Sequence, residues 1–143
     1  FGLSRDGYKS DITRTFFFGK GDKFDEMQKI YNIVKEANDK GAKAIHSGIT
    51  GKEVDNVARE IIKNAGYGQY FGHGLGHGVG LEIHESPRLS PIVDHMLDGG
   101  AVVTIEPGIY LPDFGGVRIE NMAIVTKDGP AILNSTSTDL IIL

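Results

Sequence analysis

The chain has 143 residues, 40% of them hydrophobic and 24% charged, enough for one domain with a sizeable core. A formal net charge of −4 and the absence of any Lys/Arg run argue against a nucleic-acid surface. There is no cysteine, which excludes disulfides and thiolate metal sites, so any metal must be held by His, Asp or Glu, donors that suit Mn, Co or Zn.

No apolar run reaches the roughly eighteen residues that would suggest a membrane span. Phe1–Gly7 lacks the basic-then-apolar pattern of a secretory leader, so a cytoplasmic protein is expected. The chain opens on Phe1 rather than Met and is expected to begin inside a domain.

Tyr8–Gly19, rich in Thr, Phe and Tyr, is predicted as one strand leaving a turn at Asp6-Gly7, and Lys20-Gly21-Asp22 ends it. From Phe24 the apolar positions Met27, Ile30, Tyr31, Val34, Ala37, Ala44 and Ile45 recur mostly at three and four. This spacing predicts an amphipathic helix of roughly six turns. Thr50-Gly51-Lys52-Glu53 is a capping-box pattern. Val54, Val57, Ala58, Ile61, Ile62 and Ala65 form a second helical stripe behind it, closed by Gly66. A run from Gly72 to Glu85 follows, too glycine-rich for a helix. Residues 86–100 read as a long loop. Ala101–Ile105 and Val117–Val125 read as strands, with shorter ones at Ala131–Leu133 and Leu140–Leu143. One strand, two helices and then several strands is an α+β order.

Three of the five histidines, His73, His77 and His84, fall within twelve residues of the glycine-rich run. The four-residue spacing of His73 and His77 resembles H-E-x-x-H, but position 74 is Gly and the glycines oppose the helix that motif needs. The run alternates G-x-G-x-G and never meets G-x-G-x-x-G, so a dinucleotide site does not fit. The histidines therefore read either as polar loop residues or as part of a site. Glu106 ends a strand that is largely apolar on both faces, where a carboxylate is costly unless paired or bound to a cation. Glu120 lies in Val117-Arg118-Ile119-Glu120, whose alternation fits a solvated strand face equally well. Asp11 alone reads as an ordinary strand aspartate. One histidine with three carboxylates is a donor set suited to a divalent cation.

Four motifs then stand in order. They are Tyr8-x-Ser10-Asp11-x-Thr13-Arg14-Thr15, His73-Gly-x-Gly-His77-x-x-Gly-Leu-x-x-His84-Glu85, Glu106-Pro-Gly-x-Tyr110 and Arg118-Ile-Glu120-Asn121. Together they resemble the M24 metallopeptidase family, and within it the proline-specific branch of Xaa-Pro aminopeptidases and Xaa-Pro dipeptidases (prolidases). The methionine aminopeptidase branch is a poorer match at Arg118–Asn121.

The resemblance implies a pita-bread α+β fold: a curved, mainly antiparallel sheet with helices on its outer face. It also implies a two-metal site that hydrolyses the bond before proline. Asp11 and Glu120 would bridge two divalent ions, with Mn expected and Co or Zn as alternatives. His77 and Glu106 would hold one of them. His84 would contact substrate and assist proton transfer or charge stabilisation, His73 would line the substrate pocket, and Arg118 would orient the carboxylates. The substrate would be a proline-containing peptide and the full-length enzyme a homodimer. A further family aspartate would fall one place before Phe1. On that reading residues 1–143 are the C-terminal part of the catalytic domain, and the isolated chain is expected to be inactive or nearly so. The alternative is a non-catalytic peptide-binding module on the same fold.

Overall fold

The periodicity that starts at Phe24 becomes a single 21-residue helix, α1 (Phe24–Ala44), in the computed structural model, which describes residues 1–143. Its apolar stripe buries Ile30, Tyr31, Val34 and Ala37, and Asn38 and Gly41 lie on the same buried side. The second helix, α2 (Gly51–Asn64), starts as the sequence predicts. The Thr50 hydroxyl accepts the Glu53 N–H at 3.2 Å, and the Glu53 carboxylate accepts the Thr50 N–H at 2.9 Å. It stops at Ala65, followed by Gly66 at φ +91°, the left-handed position a side chain would disfavour. The helices approach closely at Gly41, where an added Cβ would lie 3.3 Å from the Ala58 Cβ.

Eleven short strands surround them. In chain order they are β1 (Ser4–Arg5), β2 (Tyr8–Lys9), β3 (Phe16–Phe17), β4 (Gly76–Gly78), β5 (Glu85–Leu89) and β6 (Val102–Ile105). Then come β7 (Gly108–Leu111), β8 (Gly115–Arg118), β9 (Asn121–Thr126), β10 (Gly129–Ile132) and β11 (Ile141–Ile142). The main sheet is antiparallel, in the order β10-β9-β6-β4-β5. Two hairpins, β1-β2 and β7-β8, flank it, and β11 pairs in parallel with β3.

Period-two alternation gives the sheet two different faces. In β6, Val103 and Ile105 join the apolar core, whereas Thr104 between them bonds to groups on the opposite side. In β9, Ala123 and Val125 face the core and Asn121 bonds to Asn38 of α1, while the Met122 sulfur accepts the Asp11 N–H. The helices thus cover one face and leave the other to polar chemistry.

Three expectations change. The strand predicted over Tyr8–Gly19 is broken: β2 ends at Lys9, and Thr13 forms an isolated bridge to Glu120 before β3 begins. The strand predicted over Val117–Val125 divides at Ile119-Glu120. There Asn38 takes the Ile119 carbonyl and Thr13 the Glu120 N–H, so β8 can turn back on β7 while β9 joins β6. The loop predicted over 86–100 begins as β5 instead. Pro87 is tolerated there because β5 is the outer strand of its sheet.

Ile105 is fully buried where α1 meets the sheet. Ile105→Ala is predicted to lower unfolding stability by about 2–5 kcal/mol, and Thr50→Ala by about 1 kcal/mol. Urea denaturation measures both, and equal losses for the two would contradict this division between core and cap.

Candidate active site

All seven sequence-predicted site residues meet on the helix-free face of the sheet. Asp11, His77 and Glu120 each bring one donor atom into a group within 4.8 Å of one another. Glu106 stands just beside that group, with its Oε1 3.1 Å from His77 Nε2. Asp11 Oδ2 lies 3.9 Å from the same nitrogen. His77 comes from β4, Glu106 from the end of β6, Glu120 from the β8–β9 break and Asp11 from the segment after β2. The site thus draws on four separate stretches of chain.

The glycines around His77 have a local reason. A Cβ at Gly76 would strike the Thr104 carbonyl, and one at Gly78 the Ser86 carbonyl. At these two positions the glycines admit the neighbouring strands. That approach lets the His77 N–H reach Thr104 Oγ1 at 3.0 Å, and the same hydroxyl donates to Glu106 Oε1 at 3.2 Å.

Both ring nitrogens of His77 face acceptors: Nδ1 meets the Gly78 carbonyl at 3.0 Å and Nε2 meets Glu106. Burial alone would push its pKa down. The bond to Glu106, the Gly78 carbonyl and the nearby Asp11 outweigh that and raise it above the usual 6.5. Burial would raise Glu106, but bonding to His77 and the charges of His73 and Arg118 bring it below the usual carboxylate value. Glu120 is pushed up by burial above all, with Glu106 and Asp11 adding to the rise against the Thr13 bond. Three carboxylates, Asp11, Glu106 and Glu120, thus crowd one buried imidazole. A divalent cation fits it: it would replace the Nε2 proton of His77 while Nδ1 stays on the Gly78 carbonyl, and it would relieve the repulsion at Glu120.

A second layer of residues fixes these groups. Thr13 Oγ1 donates to Glu120 Oε2 at 2.6 Å and accepts from Arg118 Nε at 3.0 Å. Arg118 Nε also lies 4.0 Å from Glu106 Oε2, so it steers both carboxylates, one of them through Thr13. Arg14 bonds the Thr13 and Glu120 carbonyls and Asn121 Oδ1, and ties the Thr136 and Ser137 carbonyls of the tail to the same place.

His73 and His84 stand off the donor group. The His84 ring packs 4.2 Å from that of His77, and His73 Nε2 meets the Tyr110 hydroxyl at 2.9 Å. With His77, Arg88, Glu106 and Arg118 they line an open cleft of about 290 Å³. Sequence reasoning missed Arg88, Thr104 and the roles of Thr13, Arg14 and Tyr110. The last three stand inside the recognised motifs, but nothing local marks what they touch.

The sequence pattern of metallopeptidase family M24 matches residues 1–127. The chain belongs to metallopeptidase family M24. It is 51% identical over 134 residues to an Xaa-Pro dipeptidase of Pyrococcus furiosus, a match that covers 94% of this chain and 38% of that protein. An Xaa-Pro dipeptidase structure from Bacillus anthracis superposes with a TM-score of 0.93 at 50% identity, covering 96% of this chain and 38% of that one. An X-Pro aminopeptidase structure from Thermotoga maritima superposes with a TM-score of 0.94 at 41% identity, covering 99% and 40%. The chain therefore spans about two fifths of the length of these relatives. The pita-bread α+β class expected of an M24 chain is borne out as a partial fold, with two helices against a mainly antiparallel sheet.

The charge pattern of this M24 chain sets a pH dependence. In chelator-treated protein, raised His77 contributes stability that is complete below 6.5 and lost as pH rises through its higher folded value. Raised Glu120 acts in the same direction from 4.5 upward. Lowered Glu106 contributes above 4.5 and loses that contribution as pH falls through its lower folded value. Divalent-ion affinity is therefore predicted to climb with pH through and beyond 6.5, with net proton release on binding. Calorimetry in buffers of different ionisation enthalpy measures both. An affinity that stays flat from about pH 5.5 to about pH 8.5 would count against the His77–Glu106 pairing.

Proposed function

We propose that this chain forms the metal-bearing part of an exopeptidase that hydrolyses the bond before proline in Xaa-Pro peptides. The observation that carries the proposal is the Asp11–His77–Glu120 donor group, with Glu106 on His77, in a chain so similar to Xaa-Pro peptidases. Asp11 and Glu120 would bridge two divalent ions, Mn being the first to try and Co or Zn the alternatives, with His77 and Glu106 completing one ion's set. Bound there, the ions would supply a water activated near neutral pH and polarise the scissile carbonyl.

The chain's own residues do the rest. His84, packed beside His77, is placed to hand a proton to the leaving imino nitrogen or to stabilise charge there. His73, steadied by Tyr110, forms the wall against which the substrate lies. Arg118 holds the carboxylates in register. A proline N-substituent leaves no N–H to recognise and a fixed φ, so ring shape and the free carboxylate are what a pocket can read. Arg88 lines the cleft, and its guanidinium has neither a hydrogen bond nor an ion pair within the chain. This unpaired cation favours a substrate whose C-terminal carboxylate lies one residue beyond the cleaved bond, a dipeptide.

The test uses the whole protein, of which this chain is part, loaded with Mn. Cleavage of Xaa-Pro dipeptides in preference to dipeptides lacking proline is expected, and Glu120→Gln should remove both stoichiometric metal and activity. A metal-loaded protein that binds such peptides without cleaving them would instead be a binding module. Arg88→Ala should raise KM for an Xaa-Pro dipeptide by roughly tenfold or more and leave KM for its C-terminal amide nearly unchanged. Equal effects on acid and amide would remove Arg88 from carboxylate recognition.

A further inference from the structure

His73 stands between Gly72 and Gly74, on a segment with no sheet partner: β4 begins only at Gly76. Such a backbone loses much conformational freedom on ordering, and the ring it carries would wander unless something held it. One ion pair on α2 does so. Asp55, 1% exposed, accepts the Leu75 N–H at 2.9 Å. It also accepts Arg59 Nε at 2.7 Å and an Arg59 terminal N–H at 3.0 Å. Other guanidinium N–H groups donate to the Phe71 carbonyl at 3.0 Å and the His73 carbonyl at 2.7 Å. Residues 71, 73 and 75 are therefore all gripped by one pair a single helical turn apart.

The same pair reaches the ring by packing. The Arg59 guanidinium lies 4.2 Å over the Phe71 ring, whose ring meets that of His73 edge-on at 5.1 Å. From there His73 Nε2 reaches the Tyr110 hydroxyl. None of Asp11, His77, Glu106 or Glu120 is bonded to Asp55 or Arg59 directly; the link between them is Leu75, whose carbonyl accepts the Glu106 N–H at 2.8 Å.

Resting on the Xaa-Pro peptidase reading, we propose that Asp55 and Arg59 are positioning residues for His73, and that through it they set substrate affinity on the wall that His73 forms. The ion pair takes the place of a missing neighbouring strand. It acts on substrate binding and not on the metal donors.

Arg59→Lys tests this in the whole protein. Lysine keeps the charge on Asp55 but lacks the planar fork that serves a carboxylate and two carbonyls at once. The expected result is KM for an Xaa-Pro dipeptide raised roughly tenfold to a hundredfold, with Mn affinity within about twofold of the parent. In a His73→Ala background the same substitution should add almost nothing, because the two changes act through one ring. Selective ¹⁵N labelling of histidine gives a readout that needs no activity: the His73 ring signals should shift in Arg59→Lys while those of His77 hold.

If the protein cleaves no Xaa-Pro peptide, the peptidase reading fails, and the His73 signals still decide the positioning role. Unmoved His73 signals, or a full KM penalty for Arg59→Lys on top of His73→Ala, would overturn it. Should Arg59→Lys not fold, Asp55→Asn, which keeps one acceptor oxygen for the Leu75 N–H and an Arg59 terminal N–H but loses the charge and the acceptor for Arg59 Nε, is read by the same two measures.

Discussion

Glu120 is a carboxylate with 2% of its surface exposed, placed beside Asp11 and Glu106. A negative charge in that position is unfavourable unless a proton, a cation or several donors share it, and much of the molecule is arranged around this constraint. The chain breaks its strand at Glu120 so that Thr13 can take its N–H and one of its oxygens. Arg14 holds its carbonyl, and Arg118 acts on its carboxylate through the Thr13 hydroxyl. His77 faces Glu106 from the adjacent strand. The bonds that Thr13 and Arg14 make to Glu120 join segments more than a hundred residues apart in sequence, so the site and the fold are the same set of constraints.

The two faces of the sheet divide this work. The helix-covered face is built from β-branched and aliphatic side chains and is closed by Asn38, which caps the Ile105 and Ile119 carbonyls and meets Asn121. The opposite face carries Thr104, Glu106, Glu120 and Met122 on the alternate positions of the same strands. An apolar core one residue away thus sets the direction of each polar side chain.

Much of this could be read from the sequence, for identifiable reasons. Both helices were legible because their apolar spacing and the Thr50–Glu53 box are local signals. Glu106 stood out as a carboxylate closing an apolar strand. Asp11 carried no local signal and was found only as part of a four-motif resemblance, because what makes it special is its proximity to residues 77 and 120. The strand breaks at Asp11–Thr13 and Ile119-Glu120 were not legible, since they follow from bonds between those two segments. β5 was hidden by Pro87, which demotes a strand unless it lies at an edge. Arg59 carries no local signal, because its role depends on a carbonyl fourteen residues away.

The glycines from Gly72 to Gly78 differ sharply in what surrounds them. Nothing lies within 4 Å of a Cβ at Gly72, whereas one at Gly74 would press on the Leu89 carbonyl at 2.8 Å, and at Gly76 and Gly78 it would collide with neighbouring backbone. For anyone diversifying this run in a selection experiment, position 72 is a place where new chemistry can be introduced beside the cleft. Positions 76 and 78 are fixed letters, because their sequence is dictated by the strands on either side and not by the reaction.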